Sequence, residues 1–246
     1  MDRRRFVKRL AWFAIPGGIL GSLFRSGKAR AEGYDPSKHY YGMGIQVNKC
    51  IGCGKCVEAC KEENNVPREP FFFRTWVERY IIRKDGSSVV QNIDRRIQSQ
   101  AEILGEGEIV RSFFVPKLCN QCDNPPCVQV CPVGATFKTE DGVILVDDHR
   151  CIGCRYCIQA CPYGARYLNP ATETADKCTF CYHRITRNLL PACVEVCPTQ
   201  ARIFGDTVSG ASPLGRFKRM NKLHVLKPFL NTEPKVSYSD LDGEVR

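Results

Sequence analysis

Residues 151–162 read CIGCRYCIQACP. The four cysteines in this stretch follow the spacing C-x2-C-x2-C-x3-C, and residues 50–60, CIGCGKCVEAC, repeat it. Two further groups keep the opening C-x2-C and the closing C-x3-C, but their middle gap widens to four residues in 119–131 and to eleven in 178–197. All sixteen cysteines of the 246-residue chain belong to these four groups, so one spacing rule organises the sequence.

The spacing is typical of iron–sulfur cluster ligands. A [4Fe–4S] cluster needs one thiolate on each iron, and in two-cluster bacterial ferredoxins the fourth cysteine of a run ligates the neighbouring cluster. The sixteen thiolates therefore predict four [4Fe–4S] clusters. The closing cysteine is followed by Pro132, Pro162 and Pro198 in three groups and by Lys61 in the first. Because proline is tolerated in a first helical turn, we expect each closing cysteine to begin a short helix.

Other uses of the cysteines explain the spacing less well. An even number of cysteines in an exported chain suits a disulfide framework, but such a framework does not explain one spacing repeated four times. Structural zinc favours two C-x2-C pairs set well apart, whereas a third cysteine follows within five residues in three of these groups. Free buried thiols would not cluster. Iron–sulfur ligation is the interpretation that accounts for all four groups.

The N-terminus carries a pattern typical of export. Residues 2–8, DRRRFVK, resemble a twin-arginine signal, an uncharged stretch follows at 10–24, and residues 29–31, ARA, suit cleavage before Glu32. An uncleaved membrane anchor is the alternative, although proline and glycine break a stretch that is shorter than the ~20 residues a spanning helix needs. The twin-arginine route carries folded proteins, which fits a chain that acquires its clusters before export.

The charge argues against a nucleic-acid-binding protein. The net charge is +10, of which residues 1–31 hold +7 and the other 215 residues hold +3. Each oxidised cluster with its four thiolates contributes about −2, so the loaded protein is acidic. The basic composition therefore does not indicate a polyanionic partner.

The four groups form an internal repeat of nested modules. A strand near 135–137, a turn at 140–142 and a strand at 143–146 join groups two and three into one compact unit, so groups one and four must pair across it. The crossed ligand rule of two-cluster ferredoxins then assigns four sets. These are Cys50, Cys53, Cys56 and Cys197 (cluster 1); Cys119, Cys122, Cys127 and Cys161 (cluster 2); Cys151, Cys154, Cys157 and Cys131 (cluster 3); and Cys178, Cys181, Cys193 and Cys60 (cluster 4).

This organisation predicts an α+β fold of two nested bacterial-ferredoxin-like modules, with short hairpins and short helices around four [4Fe–4S] clusters. The expected parts are a signal peptide at 1–31, the first part of the outer module with a hairpin insert at 32–118, the inner module at 119–170, the second part of the outer module at 171–212, and an extended C-terminal tail at 213–246.

Outside the cysteine groups the sequence predicts strands and no further chemistry. Residues 71–82 and 88–93 are rich in aromatic and β-branched residues and flank a turn at 84–87, which indicates a hairpin. Its aromatic side chains are interpreted as cover over the clusters, with a partner docking surface as the alternative. The sequence contains no phosphate loop, dinucleotide fingerprint or nucleophile elbow, so we expect no substrate site in this chain.

The four groups, their order and their unequal spacings resemble the four-cluster iron–sulfur electron-transfer subunits of the DMSO-reductase type. That family includes subunits of polysulfide, thiosulfate, tetrathionate and formate-dependent nitrite reductase systems. The resemblance runs from Gln46 to the tail at 234–238. Residues 69–79, EPFFFRTWVER, and 177–184, KCTFCYHR, are most similar to the DsrO-type (Hdr-like menaquinol oxidoreductase) iron–sulfur subunit of the DsrMKJOP complex.

The resemblance implies a subunit that relays single electrons between an integral membrane quinone-binding subunit and a multihaem cytochrome or other redox subunit. It also implies sulfur-compound metabolism, a periplasmic location on the outer face of the cytoplasmic membrane, and no membrane span after signal removal. A molybdopterin or nitrite reductase system is the alternative. A self-sufficient reductase and a zinc-stabilised interaction module are weaker interpretations. Lys55, Lys61 and Arg155 stand beside ligands, so we expect their charge to raise cluster potentials.

Overall fold

The computed structural model describes residues 33–69, 72–93 and 109–245. The expected export signal at 1–31 and the beginning of the aromatic stretch at Phe71 lie outside the described residues. The strands are β1 (Tyr41–Gln46), β2 (Thr75–Arg83), β3 (Ser88–Asn92), β4 (Ile109–Leu118), β5 (Thr136–Lys138), β6 (Ile144–Val146), β7 (Arg166–Leu168), β8 (Ala175–Lys177), β9 (Arg202–Asp206), β10 (Leu223–His224) and β11 (Val236–Ser239). The α-helices are α1 (Lys55–Glu63), α2 (Pro126–Gln129), α3 (Tyr156–Gln159), α4 (Tyr182–Ile185), α5 (Ala192–Glu195) and α6 (Pro213–Met220).

A four-stranded sheet joins the first and last cysteine groups. Its strand order is β10-β11-β1-β9, and β1, which precedes the first group, pairs antiparallel with β9, which follows the fourth. The register aligns Ile45 with Arg202, and the Gln46 backbone N–H donates to the Ala201 carbonyl at 2.8 Å. This pairing brings the two groups together although they are distant in the sequence.

A second sheet contains the hairpin predicted from the aromatic stretch. Strands β2 and β3 pair antiparallel around the turn at 84–87, which confirms the hairpin, although β2 begins at Thr75. Gly86 supplies the positive φ of +80° that the turn requires. The structure adds β4 on the other side of β2, a strand the sequence did not predict, and β4 runs directly into Cys119.

Two short hairpins connect the remaining groups. Strands β5 and β6 join group two to group three, as predicted, and β7 and β8 join group three to group four in the same way. Each pair of consecutive groups is therefore separated by antiparallel strands, and the cysteine loops lie at the strand ends.

The expected helix at each closing cysteine is wrong. In groups two, three and four the short helix precedes the closing cysteine, and α2, α3 and α5 each end two residues before it. Proline follows that cysteine, and the proline ring disfavours a helical conformation in the residue before it, so the helix stops. Lys61 imposes no such restriction in group one, and α1 continues past Cys60 to Glu63.

The C-terminal segment is not the extended tail that the sequence predicted. It begins with helix α6, whose N-cap Ser212 accepts a hydrogen bond from the Gly215 backbone N–H at 3.0 Å. The chain then passes the loop of the second cysteine group, where the Asp123 N–H donates to the Glu233 carbonyl at 2.9 Å. It next forms β11, which pairs parallel with β1, so this segment connects that loop to the four-stranded sheet.

Small mixed sheets and short helices around cysteine loops confirm the α+β, ferredoxin-like fold. The four-stranded sheet contributes fully buried side chains to the core, including those of Met43, Ile45 and Tyr238. Within the described ranges, no helix has the length and apolar character needed to cross a bilayer.

The close approach of α6 to β1 generates a stability prediction. A Cβ added at Gly44 would lie 2.4 Å from Cδ1 of the buried Phe217 ring. We expect Gly44→Ala to lower the free energy of unfolding by about 1–3 kcal/mol, the usual cost of overpacking. Chemical denaturation of the loaded protein under anaerobic conditions measures this. Gly210→Ala, whose new Cβ would meet only Arg219 Nη1 at 3.8 Å, is the matched control, and equal stability of the two variants would contradict the packing.

Candidate iron–sulfur sites

The four cysteine loops share one backbone feature. The residue two positions after the first cysteine has a positive φ in every group: Gly52 (68°), Gln121 (48°), Gly153 (68°) and Phe180 (54°). Glycine adopts this conformation readily, but Gln121 and Phe180 are fully buried non-glycine residues that carry its cost. The same local turn therefore recurs in loops whose sequences differ, and it presents successive cysteines to one side.

The first predicted set surrounds a cavity. Cys50, Cys53 and Cys56 from group one and Cys197 from group four line one cavity, together with residues that include Arg202. Cys197 arrives through the β1–β9 pairing. We refer to this place as site 1.

The fourth predicted set also surrounds a cavity. Cys178, Cys181 and Cys193 from group four line this cavity with Cys60 from group one. The Asn64 side-chain amide lies 3.6 Å from the Sγ atoms of both Cys60 and Cys181, so one donor contacts cysteines from two groups. We refer to this place as site 4.

The inner cysteines belong to the second and third predicted sets, and we refer to their places as sites 2 and 3. Burial is the main cause that raises the pKa of Cys122 to about 12, and the charges of Cys119, Cys127 and Cys161, the rest of the second set, add to the rise. For the third set, the short helix before Cys131, α2, packs against α3, which carries Cys157. Cys154 of that set is exposed to solvent. The term site 3 refers to this set.

In groups two, three and four, the turn after the closing cysteine provides N–H donors to the sulfur. The pKa of the Cys131 thiol lies below its ordinary value. Burial by itself would raise this pKa, but backbone N–H groups of the following residues, including that of Thr136 at 3.5 Å from Sγ, lower it by more. The Cys197 pKa is lowered similarly, against burial, by the Ala201 N–H and the Thr199 side chain. Hydrogen bonds to the charged form favour a thiolate. The proline and the turn that it begins therefore supply hydrogen bonds to the ligand sulfur and do not begin a helix.

Two buried arginines, which were not predicted from the sequence, contact the cysteine ligands. Arg166 Nη2 lies 3.0 Å from Cys127 Sγ, and Arg202 Nη2 lies 3.5 Å from Cys56 Sγ. Each stands five residues after a closing cysteine, in the motif C-P-x-x-A-R, which is a signal that could have identified them. Lys55 and Arg155, the cations beside ligands in the sequence, are exposed instead.

Lys61, the third cation that stands beside a ligand in the sequence, is buried. Its Nζ lies 4.2 Å from the Phe73 ring centroid. The expected effect of Lys55, Lys61 and Arg155 on cluster potentials stays a prediction.

Buried donors around the sites fit a sulfide-bearing group. Arg74 lines the site 4 cavity, and its buried Nε has no hydrogen-bond partner among the described residues. Asn120, between two cysteines of group two, is 1% exposed, and both its side-chain amide atoms lack a partner there as well. A buried polar group without a partner is costly, and the inorganic sulfides of a [4Fe–4S] cluster are acceptors that would satisfy such donors.

Comparisons with known proteins agree with this chemistry. Two family models described as 4Fe-4S dicluster domains match residues 49–135 and 110–207. A tetrathionate reductase subunit of Salmonella typhimurium is 45% identical over 98% of this chain and 89% of that protein. A polysulfide reductase subunit of Wolinella succinogenes is 38% identical over 80% of this chain and 92% of its own length.

The chain belongs to the four-cluster iron–sulfur electron-transfer subunits of the DMSO-reductase type. The resemblance stated from the cysteine groups is therefore confirmed. The Hdr-like menaquinol oxidoreductase iron–sulfur subunit 1 of Archaeoglobus fulgidus, from the branch that residues 69–79 and 177–184 resemble, is 32% identical over 99% of this chain and 100% of its own length. Two dicluster domains and sixteen cysteines correspond to four [4Fe–4S] clusters as the cofactors of this subunit.

Removal of iron should unfold the protein. Cluster ligation joins loops from distant parts of the chain, so metal binding and folding are one event. We expect a chelator under oxidising conditions to abolish the visible iron–sulfur absorbance and the circular-dichroism signal of the fold together. A folded, colourless protein that keeps its native circular dichroism would contradict this coupling. The same sample, assayed before chelation, should contain four irons and four acid-labile sulfides for each set of four cysteines.

Proposed function

We propose that this chain is the electron-transfer subunit of a membrane-bound, quinone-linked reductase complex of the tetrathionate reductase type. The observation that carries the proposal is the 45% identity to the Salmonella typhimurium tetrathionate reductase subunit over almost the whole chain. The tetrathionate reductase subunit of the same kind from Archaeoglobus fulgidus is 46% identical over 89% of this chain. Each bound [4Fe–4S] cluster supplies one-electron oxidation and reduction, and the protein fixes the positions and surroundings of the four clusters.

The proposed ligand assignment is the crossed one. Each cluster takes three cysteines from one group and the closing cysteine of another. The cavities at sites 1 and 4 support this, because Cys197 and Cys60 line cavities with cysteines of the opposite group. At site 2, the effect of Cys161 on the pKa of Cys122 supports the same crossing.

The contacts between loops support a row in the order site 1, site 4, site 2, site 3. Arg202 approaches Cys56 of site 1 and Cys193 of site 4. Gln121, in the loop of site 2, donates to the Cys178 carbonyl of site 4 at 2.7 Å. The packing of α2 against α3 connects site 2 to site 3. A row of this kind has two ends, one for an electron donor and one for an acceptor.

The proposed setting is the outer face of the cytoplasmic membrane. The twin-arginine pattern in residues 2–8 supports folded export, and the names of the relatives are those of reductase subunits. The partners we propose are an integral membrane quinone-binding subunit, with menaquinone as one candidate quinone, and a catalytic reductase subunit or multihaem cytochrome. Nested ferredoxin-like modules with the boundaries given above are part of the same proposal.

A second candidate is an Hdr-like menaquinol oxidoreductase complex. The similarity of residues 69–79 and 177–184 to that branch favours it, as does the match over the full length of the Archaeoglobus fulgidus Hdr-like subunit. The two candidates differ in the partner that accepts electrons. Identification of that partner therefore decides between them.

The crossed assignment predicts which cysteine variants share a phenotype. We expect Cys122→Ser and Cys161→Ser to alter the EPR signal of one and the same cluster, since both residues would ligate cluster 2. Cys154→Ser and Cys131→Ser should together alter that of a different cluster. EPR of reduced, anaerobically purified variants checks this. If Cys161→Ser shared its altered signal with Cys154→Ser instead, each group would ligate its own cluster and the crossing would be wrong.

Purification from membranes tests the proposed complex. Tagged protein isolated from gently solubilised membranes should bring with it an integral membrane subunit and a molybdopterin-type reductase subunit, and the preparation should oxidise a quinol with tetrathionate. Quinol oxidation with no tetrathionate dependence, together with an Hdr-like catalytic subunit, would favour the second candidate.

Replacing Arg3 and Arg4 by lysine should retain the protein in the cytoplasm, and normal export of that variant would contradict the twin-arginine route.

A further inference from the structure

Two buried arginines in the interior lack an acidic partner. Arg202 is 2% exposed and Arg166 is 5% exposed. No carboxylate among the described residues lies within ion-pair distance of either guanidinium. By contrast, the third arginine near the clusters, Arg74, pairs with Asp176 at 2.8 Å. An unpaired buried charge is strongly destabilising, so Arg202 and Arg166 require negative charge from another source.

Arg202 is placed between two cluster sites. Its Nη2 lies 3.5 Å from Cys56 Sγ at site 1, and its Nη1 lies 3.9 Å from Cys193 Sγ at site 4. A hydrogen bond of 2.7 Å from Nη2 to Thr75 Oγ1 holds the guanidinium in this position. One planar cation therefore faces ligands of two clusters, with a different nitrogen toward each.

Arg166 occupies the equivalent position in the inner module. Its Nη2 lies 3.0 Å from Cys127 Sγ at site 2, and its Nη1 donates at 3.3 Å to Thr136 Oγ1. The backbone N–H of Thr136 is itself a donor to Cys131 Sγ at site 3, at 3.5 Å. Arg166 thus contacts a ligand of site 2 directly and is connected to a ligand of site 3 through Thr136, whereas Arg202 contacts ligands of sites 1 and 4 directly.

A fixed positive charge at such a junction acts on both neighbouring clusters. Arginine stays protonated in proteins, and the low dielectric of a buried position strengthens its field. Reduction adds a negative charge to a cluster, and a nearby cation stabilises that added charge. A cation shared by two clusters therefore makes both easier to reduce, whereas a cation with its own carboxylate, such as Arg74, is largely compensated.

We propose that Arg202 and Arg166 are shared potential-setting residues, each of which raises the reduction potentials of the two clusters between which it lies. The proposal rests on the crossed ligand assignment given above. The row of clusters is thereby divided into two pairs. Arg202 raises the potentials of the clusters at sites 1 and 4, and Arg166 raises those of the clusters at sites 2 and 3. The arginines act through the electric field on the clusters and ligate no iron.

Potentiometric titration followed by EPR tests the proposal on the complete, anaerobically purified protein. In Arg202→Gln we expect two of the four midpoint potentials to shift downward and two to stay in place. In Arg166→Gln the complementary two should shift downward. Arg202→Lys keeps the charge and should return both affected potentials toward those of the unmodified protein. Arg219→Gln, which removes an exposed charge on α6, is the control and should leave all four potentials in place.

The outcomes separate this inference from the ligand assignment. Iron and acid-labile sulfide counts first establish that a variant carries four clusters. A fully loaded Arg202→Gln protein with four unchanged potentials, or with only one changed, would overturn the shared role and leave the assignment intact. If the Arg202→Gln protein contains fewer than four clusters, the Arg202→Lys protein provides the decisive measurement. Four clusters in that variant, with both affected midpoint potentials retained, would support the role of the charge. Loss of clusters or a drop of both potentials in the lysine variant would contradict it.

Discussion

The interior of this subunit depends on charge compensation between buried cations and cysteine-bound clusters. Arg202, Arg166 and Lys177 are almost completely buried, and none forms an ion pair with a carboxylate in the described part of the chain. Desolvating such groups costs several kcal/mol each unless a counter-charge is close. Arg202 and Arg166 contact cysteine sulfurs, Lys177 directly precedes Cys178, and each loaded site contributes about −2. The clusters thus compensate the cations, the cations favour the thiolates, and the folded interior requires both.

Strand pairing determines where these charges meet. The β1–β9 pairing brings Cys197 to the first group and places Arg202 beside Cys56. The hairpin β7–β8 sets Arg166 opposite Lys177, directly before Cys178. The C-terminal segment then holds the loop of the second cysteine group against the four-stranded sheet. Because the β1–β9 pairing and the C-terminal segment join parts of the chain that are far apart in sequence, ligation of one cluster constrains the geometry of the next.

The cysteine spacing predicted the cofactors and the ferredoxin-like fold, since ligand loops of this spacing admit few alternatives, and the division into nested modules stays a prediction. The hairpins at 84–87 and 140–142 were also predictable, because turn residues flank β-branched runs. Strand β4 was missed because no turn motif in the sequence before Cys119 indicates a strand that pairs with β2. The roles of Arg202 and Arg166 were missed because burial and sheet register, rather than proximity in sequence, bring a cation to a ligand. Lys55 and Arg155, which stand next to cysteine ligands in the sequence, are exposed to solvent.

The most direct test of the whole account is the position of the iron atoms. An experimental structure of the loaded protein, with anomalous scattering recorded at the iron edge, should contain four cubane densities in the order site 1, site 4, site 2, site 3. Cys197 and Cys60 should ligate clusters of the opposite group, with Arg202 between the first two densities. Iron density away from these cavities, or clusters that each take all four ligands from a single cysteine group, would contradict it.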